Sequence, residues 1–322
     1  MRIDENQLEE LMESLAFVED PRVQGRSSHL LIDILVISIC ATLSGAESCT
    51  EIQIFADQKA DWLNRFLSLP NGIPSHDTIA RVLSLLDPLQ VEAAFRSWVE
   101  AITHDKERPK RLSLDGKSIS GTARKFTDHP LHMVSVYSHE LGLTLAQTEA
   151  KYRGSGEVEG ALECLKMLDI KGVTVTADAA LSVKRVIAQI REQDGHYLVP
   201  IKGNQKLSKA EIANHFDLRM KQAKRARVKE DSHGRKEERI CEVLPAKAMS
   251  SDFYEHWRDV KAILRVTRKR EVENLSKHKK TRNTDGSYSI EEDKDETKKR
   301  EDITYYISSR ELTAGEALRE VR

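Results

Sequence analysis

Residues 173–179 read VTVTADA. This run of β-branched residues predicts a strand over Val173–Ala177 that ends at Asp178. On either side, apolar residues at helical spacing predict one helix over Glu157–Leu168 and a second over Ser182–Arg191. Four further strands are predicted in the same part of the chain, at Arg111–Asp115, His132–His139, Leu143–Glu149 and His196–Ile201. Strands that alternate with helices in this way indicate a mixed α/β sheet.

The order along the chain is three strands, a helix, a strand, a helix and a strand, which is the order that the RNase H-like fold uses. The predicted fold class is therefore α/β, an RNase H-like mixed sheet with flanking helices. A small all-helical N-terminal domain is predicted before it, over residues 1–105. Its most apolar segment, Leu30–Leu43, is typical of a helix buried in a bundle. Further helices are predicted at Cys49–Leu67, at Asp77–Leu86 with Ser75 or Asp77 as N-cap, and after Pro88.

The α/β domain is predicted to cover residues 106–322. In its last third, Ile263–Thr267 and Ile303–Ser309 have the pattern of strands, and Leu312–Val321 begins a helix. Between the two strands, Glu273–Asp302 is dense in Lys, Glu and Asp and has almost no apolar residues. Such a stretch cannot bury enough surface to order itself, so a mobile charged insertion is predicted at about residues 273–302.

Charge is distributed unevenly along the chain, although the formal net charge is only −1. Residues 1–100 contain 7 Lys and Arg against 16 Asp and Glu, a net charge of −9. The remaining 222 residues contain 44 against 36, a net charge of +8. A basic back part suggests a polyanion as its partner. We therefore expect residues 101–322 to bind double-stranded DNA with an affinity that falls as salt is added.

Several classes of protein are not supported by the sequence. The longest apolar run, Leu30–Leu43, contains Asp33 and is shorter than the ~20 residues that a membrane span needs. The acidic N-terminus lacks the apolar core of a signal peptide, so a cytoplasmic protein without a membrane partner is expected. There is no Walker-type loop, GxGxxG, GxSxG or Cys/His metal spacing. A nucleotide cofactor, a serine hydrolase and a structural zinc are therefore unsupported.

Two aspartates are candidate metal ligands because each is predicted to end an apolar strand. Asp115 follows Leu112 and Leu114, and Asp178 follows VTVTA. Carboxylates that converge at one edge of a sheet can hold two divalent cations for phosphoryl transfer, and hard cations prefer such oxygen ligands. The alternative is that each is an ordinary turn aspartate, since Asp-Gly after a strand is a common turn.

Two further motifs carry candidate DNA-binding residues. KGNQ follows a predicted strand, and Lys202, Asn204 and Gln205 could hold phosphate oxygens or a base edge, with a capped turn as the alternative. HGRKEER begins at His233, and on a strand Arg235, Glu237 and Arg239 would share one face. That face would present either phosphate clamps around a metal-binding carboxylate or a solvated salt-bridge ladder, which is the preferred interpretation. Lys117, beside Asp115, is a further candidate for DNA contact.

The same residues resemble a known family, the H-repeat-associated DDE transposases of bacterial insertion sequences, found also beside Rhs elements. The resemblance covers most of the chain and is carried, in order, by DPRVQGRSSHLLIDILVISICATLSGAES, GIPSHDTIARVLSLLDP, LSLDGKSI, LDIKGVTVTADA, YLVPIKGNQ, SHGRKEER and ITYYISS. It implies an RNase H-like catalytic domain in which Asp115 is the first catalytic aspartate and Asp178 the second. It also implies Mg²⁺- or Mn²⁺-dependent strand cleavage and joining at terminal inverted repeats by a homodimer or higher assembly on DNA.

The sequence departs from the family pattern at three places. AALSVK follows Asp178 where the family has a small run with a Gln, and RGSGEVEG stands where it has a KSNEI-like segment. The family continues past Arg322 with a helix that carries HW-x-[IV]-E-N, whose Glu is the expected third carboxylate. We therefore expect a transposase by descent whose cleavage is impaired, with Glu237 as the substitute that this chain offers. The alternatives are a non-catalytic DNA-binding remnant, which binds element ends or dimerises with intact transposase, and a host-adapted nuclease that uses Glu237.

Overall fold

The computed structural model describes residues 5–23, 25, 27–103, 108–119, 131–150, 156–232, 235–272, 279–282, 288–291 and 298–321. The chain divides into two compact units, Met1–Arg108 and Pro109–Arg322. No helix in the described part of the chain is both long and apolar enough to cross a membrane.

The first unit is helical, as the sequence predicts. Its described helices are α1 (Glu5–Leu15), α2 (Leu31–Leu43), α3 (Cys49–Gln58), α4 (Ala60–Leu63), α5 (His76–Leu85) and α6 (Pro88–Thr103). Helix α2 is the apolar segment, and its residues from Asp33 to Ser38 are all buried. Ser75 is the N-cap of α5 and accepts a hydrogen bond from the backbone N–H of Thr78. The sequence pattern thus predicted α2, α5 and α6, whereas α1 was not predicted and the single helix predicted at Cys49–Leu67 is divided into α3 and α4.

Helix α2 carries a buried carboxylate. The side chain of Asp33 is 2% exposed, and its Oδ2 accepts a hydrogen bond from the backbone N–H of Leu69 at 3.0 Å. Leu69 has a positive φ of 38°, a conformation that non-glycine residues rarely adopt. Burial raises the pKa of Asp33 above its ordinary value. The carboxylate thus holds a strained turn at a cost in solvation.

The second unit contains a mixed nine-stranded sheet. Its strands are β1 (Arg111–Ile119), β2 (Leu131–Ser138), β3 (Leu143–Glu149), β4 (Thr174–Ala177), β5 (His196–Ile201), β6 (Lys224–Ser232), β7 (Arg235–Pro245), β8 (Ala262–Val272) and β11 (Lys298–Ser308), in the spatial order β3-β2-β1-β4-β5-β11-β8-β7-β6. Strand β2 is antiparallel to β1 and β3, whereas β1, β4 and β5 are parallel. From β5 to β6 every pairing is antiparallel.

Strands β8 and β11 are longer than the sequence predicts. Residues 298–302, assigned from composition to a charged insertion, pair with β8 instead. Cross-strand ion pairs explain why a polar segment can extend the sheet: Lys269 and Glu301, directly opposite each other, are 3.5 Å apart at Nζ and Oε2. Two short strands, β9 (Lys279–Arg282) and β10 (Tyr288–Glu291), pair separately. The predicted mobility of the rest of that insertion falls on residues 273–278, 283–287 and 292–297, outside the described residues.

Helices cover both faces of this sheet. They are α7 (Gly156–Lys166), α8 (Lys184–Glu192), α9 (Lys206–Arg219), α10 (Ser251–His256) and α11 (Ala314–Glu320). The larger core lies on one face and includes Leu112, Leu114 and Leu165. A smaller core, which includes Leu264 and Leu318, lies on the face covered by α11. The observed architecture is thus a large mixed sheet with flanking helices.

Candidate active site

Asp115 lies within a strand and not at its end, which corrects the prediction from the sequence. Strand β1 continues to Ile119, and its residues from Gly116 onward pair in register with Val134 to Leu131 of β2. Asp-Gly is a turn signal only where the backbone has no better partner, and here β2 supplies that partner. Asp115 itself is exposed, alternating with the buried Leu112 and Leu114.

The parallel pairing of β1 with β4 brings the two aspartates together. The last pair in the register joins Leu114 to Ala177; Asp115 is the next residue of β1, and Asp178 is the first residue after β4. Neighbouring strands are about 4.8 Å apart, so the two Cα atoms are expected at about that separation. Both side chains are exposed. The carboxyl end of β4, together with Asp115 of the neighbouring strand β1, therefore presents two carboxylates to solvent.

Asp178 also holds the turn that follows β4. Its Oδ1 accepts hydrogen bonds from the backbone N–H groups of Ala180 at 2.9 Å and Leu181 at 3.0 Å. Its carbonyl oxygen accepts a hydrogen bond from the Ser182 hydroxyl. Its Oδ2 has no hydrogen-bond partner within the described residues. The turn role and a metal role are therefore compatible, because they use different oxygens.

The KGNQ segment lies beside this turn and contacts it through amide side chains. Nδ2 of Asn204 donates to the carbonyl oxygen of Ala179 at 3.2 Å, and Nε2 of Gln205 donates to that of Ser182. Oε1 of Gln205 accepts a hydrogen bond from the backbone N–H of Lys202, whose side chain is exposed. Asn204 and Gln205 thus use their side chains to hold the loop that carries Asp178, which is the role that the capped-turn alternative gives them.

On the opposite face of β1, a hydrogen-bonded chain links the strand to helix α7. Oγ of Ser118 lies 2.7 Å from Nδ1 of His132, and Nε2 of His132 donates to Oε1 of Glu157 at 3.0 Å. A Cβ atom built on Gly116 would stand 2.0 Å from that Oε1. Glu157, His132 and Ser118 were not predicted as site residues, although a glycine inside a strand, directly after Asp115, is a signal of close approach.

Glu237 is not brought to the aspartates. It lies on β7, four strands away from β4 in the sheet order. Its carboxylate is surrounded by three guanidinium groups, with Nε of Arg239, Arg268 and Arg270 at 3.5, 3.3 and 3.1 Å. The ion pairs between Glu237 and these arginines correspond to the salt-bridge ladder and not to a metal-binding carboxylate.

The other candidates of the HGRKEER segment have different positions. Arg239 is 5% exposed and is paired with Glu230 at 2.6 Å, so contact with a phosphate would require that pair to open. Arg235 begins β7, but its side chain lies outside the described residues, as does all of His233. Lys117, by contrast, is exposed on β1, two residues from Asp115.

The donor set at the sheet edge fits a hard divalent cation. Mg²⁺ is commonly bound by one or two carboxylates, with waters and substrate phosphates completing the octahedron. Asp115 and Asp178 supply two such carboxylates in neighbouring positions. Within the described ranges, no group of three or more His, Cys, Asp or Glu side chains is arranged to hold a metal. Asp115 and Asp178 would therefore supply two of the oxygen ligands of such an ion.

Comparison with protein families assigns the chain. Residues 106–318 match the family model described as "Transposase DDE domain", and residues 12–99 match the model described as "DDE_Tnp_1-associated". The chain belongs to the DDE transposase family. The recognition made from the sequence motifs is thereby confirmed, including the H-repeat group, because relatives with that name match over most of the chain.

Two curated relatives of this DDE family member come from Escherichia coli. "H repeat-associated putative transposase YhhI" of strain K12 is 32% identical over 96% of this chain and 77% of its own length. "Putative transposase YncI" of O157:H7 is 30% identical over 98% of this chain and 76% of its own length. A solved piggyBac transposase synaptic complex with hairpin DNA matches at 8% identity and a TM-score of 0.34, over 98% of this chain and 61% of that chain. At that score the match carries no argument about fold or function.

Proposed function

We propose that the chain is an insertion-sequence transposase that cleaves and joins DNA strands at terminal inverted repeats, with Asp115 and Asp178 as its first two catalytic carboxylates. The observation that carries this proposal is the parallel β1–β4 register, whose last pair, Leu114 and Ala177, directly precedes the two aspartates. Family membership supports it independently.

The proposed catalytic domain, residues 106–322, is RNase H-like in its first five strands. Strand order and direction support this assignment. The order is β3-β2-β1-β4-β5, in which β2 is antiparallel to both neighbours and β1, β4 and β5 are parallel. Residues 1–105 are its helical associated domain. The two compact units and the two family matches have boundaries close to these.

In this proposal each residue of the edge has a separate task. Asp115 and Asp178 hold Mg²⁺ or Mn²⁺ through carboxylate oxygens. Asn204 and Gln205 fix the turn after Asp178 through its carbonyl groups. Lys117 and Lys202, both exposed, bind phosphates of double-stranded DNA. When bound, the ions supply charge neutralisation at the scissile phosphate and a lower pKa for the attacking water. The active form is a homodimer or higher assembly on DNA in the nucleoid.

The test is cleavage of a DNA fragment that carries the element ends, by the full chain with Mn²⁺. Asp115→Asn and Asp178→Asn should each lower the rate on the order of a thousandfold or more, because the ions lose a charged ligand while the fold keeps its shape. Asp169→Asn is the matched control. Asp169 also holds a turn, through the backbone N–H of Lys171 at 3.1 Å, but it precedes β4. Cleavage that survives both active-site substitutions would contradict the proposal.

A second candidate is a protein that binds the element ends without cleaving them. The position of Glu237 favours this candidate. Glu237 was the candidate third carboxylate, but it is paired with three arginines and lies four strands away from β4. The same assay separates the two candidates. Salt-sensitive binding of the element ends without strand cleavage, unchanged by Asp115→Asn, would establish the second and exclude the first.

A further inference from the structure

Glycine at position 116 allows helix α7 to touch strand β1 directly behind Asp115. A Cβ atom at this position would stand 2.0 Å from Oε1 and 2.8 Å from Cδ of Glu157, so any larger residue would displace the Glu157 carboxylate from where it lies. Glycine also leaves the backbone beside Asp115 with more conformational freedom than any other residue would. Pairing with Val134 of β2 restrains the backbone at this position within the sheet, and the Glu157 carboxylate lies against it on the face of α7.

The Glu157 carboxylate is itself held in place. It accepts a hydrogen bond from Nε2 of His132 at 3.0 Å, and the other ring nitrogen lies 2.7 Å from Oγ of Ser118. Ser118 and His132 are directly opposite in the β1–β2 register. The chain Glu157–His132–Ser118 therefore spans α7, β2 and β1. It meets β1 two residues beyond Gly116 and so links this part of the strand to α7.

Helix α7, which carries Glu157, packs closely against β2. Gly160 lies against β2, where an added Cβ atom would be 3.2 Å from Cγ2 of Val134, and the Cys164 thiol donates to the carbonyl oxygen of Val134 at 3.6 Å. Glu157 is in the first turn of α7, where the helix dipole favours a negative charge. Its side chain is 33% exposed and that of His132 is 23% exposed. The close packing of α7 on β2 thus fixes the distance of the Glu157 carboxylate from the sheet.

We infer that Glu157, held by His132, is a positioning residue for the Asp115–Asp178 metal site, acting through the backbone at Gly116 without touching the ion. The inference rests on the proposed function. Groups that orient metal ligands typically contribute about 10- to 100-fold to metal affinity. A helix-docking contact without this role would contribute to stability and leave the metal affinity unchanged.

The experiment titrates Mn²⁺ into the full chain and follows free Mn²⁺ by electron paramagnetic resonance, with the melting temperature measured beside it. Glu157→Ala should weaken Mn²⁺ binding about tenfold or more. Glu157→Gln keeps an oxygen that accepts from His132 and should restore most of the affinity. Gly116→Ala leaves the helix unchanged and forces the Glu157 side chain away, so it should weaken binding even if Glu157→Ala fails to fold.

The matched control is Glu159→Ala. Glu159 is in the same helical turn, and its Oε1 pairs with Nη1 of Arg185 at 2.6 Å on an exposed surface. This variant should bind Mn²⁺ like the parent. The inference is overturned if Glu157→Ala and Gly116→Ala bind within about twofold of the parent, or if Glu159→Ala weakens binding equally. If Asp115→Asn and Asp178→Asn leave Mn²⁺ binding unchanged, the proposed metal site fails first and the positioning role fails with it.

Discussion

At the scale of single residues, Asp33 makes a pH-dependent contribution to the stability of the helical unit. Burial raises its pKa in the folded state, so the folded state keeps the proton more readily than the unfolded chain. The free energy of unfolding therefore falls as pH rises from the unfolded value of about 4 through the higher folded value. Asp33→Asn removes this loss, and its stability relative to the parent should increase between about pH 3 and about pH 7.

Urea unfolding followed by tryptophan fluorescence measures this difference, since Trp62 and Trp98 lie in the helical unit. Asp33→Ala is the control for the hydrogen bond. It leaves the Leu69 N–H without its acceptor, so it should be about 1–3 kcal/mol less stable than Asp33→Asn at either pH. If Asp33→Asn instead becomes less stable relative to the parent as pH approaches neutral, the ionised form of Asp33 stabilises the folded state.

At the scale of elements, the β7–β8 ladder makes a second prediction. Glu237→Ala leaves Arg239, Arg268 and Arg270 facing one another without their shared carboxylate, and should lower the free energy of unfolding by about 1–3 kcal/mol. The lower half of that range allows for the partial exposure of the arginines. Mn²⁺ binding at Asp115 and Asp178 should not change, because Glu237 is four strands away from β4.

Glu238→Ala is the matched control for the ladder. Glu238 is the next residue along β7, and its carboxylate pairs with Arg227, whose side chain is 57% exposed, at 3.2 Å. An exposed pair contributes little, so the variant should lose less than about 1 kcal/mol. Loss of Mn²⁺ binding in Glu237→Ala, with stability unchanged, would restore Glu237 as a candidate catalytic ligand.

The elements that the sequence predicted are those whose pattern of apolar residues reflects which side chains are buried. Leu143–Glu149 and His196–Ile201 match β3 and β5 residue for residue. Helix α9 was not predicted, because Leu207 and Leu218 are 89% and 76% exposed and obscure its buried face. What holds α9 is tertiary, including the Arg265 guanidinium 5.2 Å from the Phe216 ring centroid. The spacing of apolar residues within a segment carries no information about contacts with residues distant in sequence.

The same distinction applies to the candidate site. Asp115 and Asp178 could be identified because each follows an apolar strand pattern that is local in sequence. Their adjacency follows from the β1–β4 register. Glu157 could not be identified in this way, because its partner His132 is 25 residues earlier and on another element. The strand glycine at position 116 was the one local signal of that contact.

At the scale of the whole molecule, the charge asymmetry predicts how DNA binding responds to salt. The full chain should bind double-stranded DNA with an affinity that falls steeply with salt concentration, although its net charge is −1. Lys117→Ala and Lys202→Ala should each reduce the slope of log Kd against log salt by about one if each contacts a phosphate. Fluorescence anisotropy over a series of salt concentrations measures this slope.

Lys166→Ala removes the same charge from the far end of α7, about 13 Å along the helix from Glu157. It should leave the slope unchanged. An equal decrease for all three lysine variants would mean that binding depends on overall charge and not on a surface beside the aspartates.

The position of β11 has a consequence for how the chain folds. This strand is the last in sequence, yet it lies between β5 and β8, and it pairs residues 305–308 with residues 198–201, roughly a hundred positions earlier. During synthesis, β1 to β5 can assemble while one edge of β5 still lacks its partner. Such long-range closure is slow, and an open strand edge is prone to aggregation. The nascent chain should therefore depend on chaperones until residue 308 has left the ribosome.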